Sequence, residues 1–413
     1  MMKKNVMQPA VLFSLVWFLV ILLHFIFRFT ILFDLYALHF TTFMVFFIGT
    51  LLFSASSLLV TLRNQQRGVS GAWKMEENSF QDGISLKLRY ILLGITIIGF
   101  PFYIQAAYRV FIASNIEDFF VGLRTELSYG NEDIGPVKYL VSFSFVVYAI
   151  NLYVYLKEKS KINKILFIVS LLFTVAYAVF MTGRTFLFMI LVIYFGMNYL
   201  QNNRFSLKKN TWLIGLFLTV FLLIGVVLGK GGNKDVSIQE NLNSSSENIA
   251  IYMVSSLNGI DWELTHQPTI NYTGANNFRF FIKIGNQFNL LTNIKVSELL
   301  QEFIFIPYPT NVYTFYSPYI KDFGKLYAWI MISIFGLIHT MLNDKARFFK
   351  DLRNSIYYSF MLFPLLLSFF QDQYMSLFSS WLQIVVYTEL FILLNRVFTS
   401  KKTFVNVLPP QLS

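Results

Sequence analysis

Ten apolar runs alternate with polar connections: Val11–Phe33, Leu35–Val60, Tyr90–Ala106, Val137–Leu156, Ile165–Met181, Thr185–Leu200, Trp212–Leu228, Leu326–Leu342, Tyr357–Phe370 and Tyr374–Phe398. Apolar runs approaching the length needed to cross hydrocarbon, about 20 residues of helix, predict transmembrane helices. The first run is too long for a cleaved signal peptide and lacks a small-residue cleavage site, so it is expected to be the first span. Asp34 alone interrupts the first two runs, Pro101 predicts a kink in the third, and Thr182-Gly183-Arg184 joins the fifth to the sixth. The pattern predicts an all-α polytopic integral membrane protein with about 10 transmembrane helices.

One interval breaks the rhythm. Between Gly229 and Lys325 the chain is polar, with Arg279, His266, eight carboxylates and a segment rich in proline and tyrosine, Ile306 to Gly324. A polytopic protein that keeps such a loop has use for it at the membrane face, on a polar substrate. The expected organisation is therefore a seven-span part at 1–228, a large extracytoplasmic loop at 229–325, and a three-span part at 326–413.

Composition agrees: 55% of residues are hydrophobic, 13% are charged and the mean hydropathy is +0.56. No cysteine is present, which removes disulfides, thiolate nucleophiles and thiol metal sites. The net charge of +11 has a topological explanation. Of 33 Lys and Arg residues, 21 fall on the side that holds the amino terminus, recurring at each alternate connection. By the positive-inside rule both termini are cytoplasmic and the 229–325 loop lies outside. Nucleic acid is not an expected partner; the lipid bilayer is.

Four arginines stand apart from the cytoplasmic clusters: Arg109 and Arg124 in the first long outer loop, Arg184 in the tight hinge, and Arg279 in the large loop. A guanidinium fork suits phosphate oxygens because its donors meet several acceptors at fixed geometry. Arg184, between two apolar runs, either contacts a phosphate or snorkels to fix helix depth. Arg109 and Arg124 have Glu117, Asp118 and Glu126 close enough in sequence to neutralise them. His24, His39, His266 and His339 form no spaced metal set, and no cofactor or metal is expected. His266 is placed for proton transfer or for a hydrogen-bonding role. Asp322 and Asp372 compete as catalytic groups, each at the outer end of a span. Asp322 is placed to orient a hydroxyl, to take its proton, or to pair with Lys321, Lys325 or an outer arginine. Tyr308, Tyr313, Tyr316 and Tyr319 either stack on sugar rings or anchor the interface.

The stretch Pro309-Thr-Asn-Val-Tyr-Thr-Phe-Tyr-Ser-Pro-Tyr-Ile-Lys-Asp-Phe-Gly324 resembles the proline, Asn-Val-Tyr-Thr, tyrosine and Asp-Phe-Gly pattern of the oligosaccharide repeat-unit polymerases, the Wzy-type O-antigen polymerases. Thr182-Gly-Arg-Thr185 is similar to that family's mid-chain glycine–arginine turn. The resemblance implies a glycosyltransferase-C-like fold and an inverting transfer on the periplasmic face of the inner membrane. A growing glycan would leave its undecaprenyl pyrophosphate carrier and join one repeat unit on a second carrier. It further implies that Arg184 and Arg279 hold the lipid pyrophosphate, that Asn311, Tyr313 and Asp322 belong to the signature, and that a polysaccharide chain-length regulator is a partner.

Two rival readings share parts of this pattern. An O-antigen ligase would use the same donor with a lipid A-core acceptor. A lipid-linked oligosaccharide flippase or other transporter would show paired halves and charges along a central cavity, and no long outer loop.

Overall fold

The computed structural model describes residues 7–66, 83–130, 132–202, 238–266, 270–291, 294–297 and 303–405. Among them the chain is helical almost throughout, with one two-stranded antiparallel ribbon, β1 (Ile304–Phe305) and β2 (Pro309–Thr310). The helices are α1 (Pro9–Thr30), α2 (Phe40–Gln66), α3 (Leu86–Ala113), α4 (Phe119–Tyr129), α5 (Tyr139–Lys157), α6 (Lys161–Phe180), α7 (Arg184–Asn202), α8 (Ile238–His266), α9 (Arg279–Gln287), α10 (Tyr316–Phe349), α11 (Leu352–Leu366) and α12 (Phe378–Val405).

Eight of these are long and apolar enough to cross a membrane: α1, α2, α3, α5, α6, α7, α10 and α12. The protein is thus an all-α polytopic membrane protein. The expected ninth span is α11, whose 15 helical residues reach about 22 Å, short of a bilayer core. The expected seventh, Trp212–Leu228, lies outside the described residues. Outward faces are apolar: Phe18, Phe25 and Phe29 on α1, Phe47 and Leu59 on α2, and Ile98 and Phe102 on α3 are all exposed. Acyl chains are the solvent that suits such surfaces.

The chain divides into two compact units. The first comprises 1–66, 229–344 and 361–379. Its aromatic centre forms where Phe13 stacks on Phe53 at 4.1 Å and Trp17 tilts against Phe46 at 4.6 Å. Tyr316 enters edge-on to Trp17 at 5.3 Å, and its hydroxyl fills the space a Cβ on Gly49 would need. In lipid, where apolar burial gives little drive between helices, such close packing holds them together. Gly336 serves the same end, since a Cβ there would lie 2.6 Å from the Phe53 carbonyl oxygen.

A polar helix runs through this unit. Helix α8 buries Ala250, Val254, Leu257 and Ile260, one helical face at three- and four-residue spacing. Ala250 and Val254 join Leu32 and Leu35 in one cluster. Beside this apolar stripe, Asn258 Oδ1 meets His24 Nε2 at 2.7 Å, and Asp261 accepts from the His39 backbone N–H at 2.8 Å and from the Thr42 hydroxyl.

The second unit comprises 67–228, 345–360 and 380–413. Helix α5 is its centre, buried from Ser144 to Val154. Tyr148 donates to the Ile190 carbonyl at 3.2 Å, Thr174 to that of Ser144 at 3.0 Å, and Tyr177 to that of Thr96 at 3.0 Å. Each of these three buried hydroxyls thereby finds an acceptor on a neighbouring helix.

Candidate active site

The signature segment leads from β2 into α10, and one glycine breaks that helix. Gly324 has φ +83° and ψ 178°, a conformation that essentially only glycine adopts. It divides α10 into a short piece, Tyr316 to Phe323, and the long span. Carbonyls that end a helical segment lose their intrahelical donors. The Lys321 and Asp322 carbonyls recover them from the Asn271 and Tyr272 backbone N–H groups, each at 2.9 Å.

The side chain of Asp322 completes this junction. It is fully buried, and Oδ2 accepts from the Asn277 backbone N–H at 2.8 Å, from Asn277 Nδ2 at 2.7 Å and from the Asn276 N–H at 3.1 Å. Oδ1 accepts from Asn276 Nδ2 at 2.7 Å. Asn277 Nδ2 also reaches the Pro318 carbonyl at 3.0 Å. A buried carboxylate with this many donors holds loop 271–277 against the short helical piece. Phe278 comes next as the cap of α9, and Arg279 is that helix's first residue.

Just before Asp322, Lys321 lies 3.2 Å from Glu263 Oε2 of α8, with its ammonium 4.7 Å from the centre of the Tyr313 ring. Ser317 donates to the same Glu263 oxygen at 2.7 Å, whereas Glu263 Oε1 is buried without a hydrogen-bond partner. Burial pushes the Glu263 pKa up, against Lys321 and Ser317, which draw it down. Asp372 is likewise buried between α11 and α12. It accepts from the Tyr319 hydroxyl at 2.9 Å, from the Tyr374 N–H at 3.0 Å, and from the N–H and hydroxyl of Ser376 at 2.8 and 2.9 Å. Burial again raises the pKa, opposed by the Ser376, Tyr374 and Tyr319 donors.

The other sequence candidates are distributed. His266, the exposed last residue of α8, stacks on Trp262 at 5.5 Å and lies 2.7 Å from the Thr265 hydroxyl. Tyr316 and Tyr319 are fully buried. Tyr313 retains slight exposure and Asn311 is half-buried. Arg279 belongs to the first unit, and Arg109, Arg124 and Arg184 to the second. Arg109 is exposed near the end of α3, and Arg124 is half-buried on α4. Arg184 begins α7, two residues after Thr182, whose φ of +55° is unusual for a β-branched residue. The hinge therefore stores backbone strain beside the arginine.

Sequence reasoning missed the partners Glu263, Asn276 and Asn277. The Asn276-Asn277 pair just after Gly274 (φ +68°) was the signal available, since Asn beside glycine marks a turn with spare donors. The pairing of Lys321 with a helix about 60 residues earlier carries no local signal.

Two curated proteins are similar to parts of the chain. "Putative O-antigen polymerase" of Escherichia coli (strain K12) is 29% identical over 138 residues, 33% of this chain and 34% of that protein. "O-antigen polymerase" of Shigella dysenteriae is 26% identical over 199 residues, 48% of each chain. The chain thus spans between a third and about half the length of the curated relatives it matches. No family model and no solved structure matches. These similarities agree with the polymerase resemblance carried by the signature segment.

Proposed function

We propose that this protein is an oligosaccharide repeat-unit polymerase. It takes glycan from one undecaprenyl pyrophosphate carrier and joins it to a repeat unit on another, at the periplasmic face of the inner membrane. Both termini are cytoplasmic in this reading. A hydroxyl of the acceptor sugar attacks the anomeric carbon of the donor. The carbon–oxygen bond to pyrophosphate breaks, the pyrophosphate leaves with the electron pair, and the hydroxyl proton passes to a base. The configuration at that carbon inverts. The leaving group is already activated, so the demand on the protein is to orient two substrates and to neutralise a departing polyanion.

One observation carries this reading beyond the named relatives: Asp322 of the signature fixes the loop that begins α9 with Arg279. A helix N-terminus that opens with an arginine suits a phosphate, because N–H dipoles and guanidinium donors add. Asp322 is here a positioning residue rather than a base, since four donors already occupy its oxygens. Arg279 is the pyrophosphate contact that this loop supplies; the same role for Arg184, and a lesser one for Arg109 and Arg124, rests on the family resemblance and on guanidinium chemistry alone. Asn311 and Tyr313 face the glycan, while Tyr316 and Tyr319 support the segment from beneath. Asp372 closes the turn between α11 and α12. His266, exposed at the end of α8, is the remaining candidate for the proton.

The purified protein, given lipid-linked repeat units, tests the proposal. Longer lipid-linked chains are expected. Transfer to lipid A-core would show a ligase, and translocation without a new bond a transporter; either overturns the assignment.

A further inference from the structure

The second unit contains a cavity of about 340 Å³ that the polymerase reading does not use. The first turns of α3, α6 and α11 border it, through Leu86 and Arg89, Ile162 and Asn163, and Leu352. Three helix beginnings contribute partial positive charge to one space, and the carboxyl end of α5 at Lys157 contributes partial negative charge. Arg89 in its wall is 2% exposed. Its Nε donates to Asn151 Oδ1 at 2.9 Å and its Nη1 to Asn163 Oδ1 at 2.7 Å, while Nη2 has no partner.

Both asparagines are locked in this role by their own amide groups. Asn151 Nδ2 donates to the Val147 carbonyl at 3.0 Å, and Asn163 Nδ2 to that of Glu158 at 3.0 Å. The guanidinium is thus held in place by neutral acceptors, and no carboxylate among the described residues pairs with it. Glu158 attracts the guanidinium only from beyond ion-pair distance, and the buried Nη2 left without a hydrogen bond is costly, so this arrangement is suited to an acceptor from outside. Lys157 adds a second cation at the exposed rim, its ammonium 4.6 Å from the Tyr153 ring, and Asp351 and Glu158 are the acidic groups that oppose these cations.

The rim indicates what kind of anion. Leu86 and Ile162 are both exposed and apolar, and Tyr90 on α3 and Ile165 on α6, one turn further along, are exposed as well. A phosphate that enters here has hydrocarbon directly beside it. We propose that this cavity binds the phosphodiester headgroup of an anionic phospholipid, with Arg89 and Lys157 on the phosphate and the acyl chains along α3 and α6.

The test uses full-length protein purified in a neutral detergent, with lipid retention read by native mass spectrometry. Phosphatidylglycerol is expected to be retained over phosphatidylcholine, and millimolar inorganic phosphate not to displace it. R89K keeps the charge but loses the fork, and K157Q alters only the exposed rim, so at least one of the two remains folded and informative. Each is expected to weaken phosphatidylglycerol retention, K157Q by about fivefold. Displacement by inorganic phosphate would show a site for free phosphate and overturn the lipid assignment. Equal retention of the two lipids, or retention unchanged in both variants, would also overturn it. The guanidinium would then be neutralised from within the chain, with Glu76, Glu77 and Asp82 the nearest acidic residues on the amino-terminal side in sequence.

Discussion

Replacing Asp322 with asparagine tests the junction at the heart of the proposed site. The parent carboxylate takes four donors, from the backbone and side-chain nitrogens of Asn276 and Asn277. An asparagine keeps one acceptor oxygen and turns an NH2 toward donors that cannot accept from it. In the more favourable orientation the oxygen replaces Oδ2, and only the bond from Asn276 Nδ2 is lost. A hydrogen bond to a charged acceptor contributes roughly 1.5–3 kcal/mol. The loop should therefore open about 10- to 150-fold more often, at 1.36 kcal/mol per factor of ten. Hydrogen exchange of the purified D322N protein reads this at the backbone amides of Asn271, Tyr272, Asn276 and Asn277. Polymerisation should fall with the loosened Arg279, with a pH dependence parallel to that of the parent. Unchanged exchange at all four amides would refute the clamp. Complete loss of turnover with lipid-linked substrate still bound would make Asp322 the base instead.

Four further outcomes are expected. G324A forces a side chain into the φ +83° conformation and should cost about 1–3 kcal/mol, seen as a lower unfolding temperature; a neutral G324A would mean the break is not required. R184K keeps a charge but loses the planar fork, so activity should fall markedly at unchanged membrane abundance, and full polymerisation by R184K would favour a snorkelling role. S245C and K161C, labelled in cells permeable only across the outer membrane, should react at S245C alone, and labelling of K161C would overturn the topology. Burial raises the Glu263 pKa above 4.5, so the folded state holds that proton more tightly than the unfolded chain. That stabilisation is complete below pH 4.5 and is lost as pH rises through the raised value. E263Q cannot charge and should flatten the decline in thermal stability above pH 4.5; profiles parallel to the parent's would show that burial does not govern this group.

Most of the membrane-embedded architecture was legible because a span needs only length and apolarity. Lys161–Phe180 and Arg184–Asn202 fall within a few residues of the expected fifth and sixth runs. Helix α8 was not legible, since Gln239 to Asn248 is polar and its buried stripe Ala250, Val254, Leu257 and Ile260 is flanked by Asn258, Asp261 and Glu263. Such a helix satisfies neither a hydropathy window nor an amphipathic surface pattern, because its polar face is also buried. The start of α10 was expected at Leu326 and lies at Tyr316; an apolar count cannot see a helical piece that ends at a glycine break. Asp322 stood out in the sequence, but its occupants did not. Asn276 and Asn277 are over 40 residues earlier, and only the fold brings them within reach.

The polar bonds of α8 also impose an order on how the chain is made. His24 and His39 leave the ribosome with the first two helices, whereas Asn258 and Asp261 come 234 and 222 residues later. At about 5–20 residues per second of synthesis, the interval is on the order of 10–50 s. During that time α1 and α2 stand in or beside the bilayer with an imidazole and a threonine hydroxyl awaiting partners. Helix α8, too polar to count as a span by itself, finds its buried polar partners only on helices made long before it.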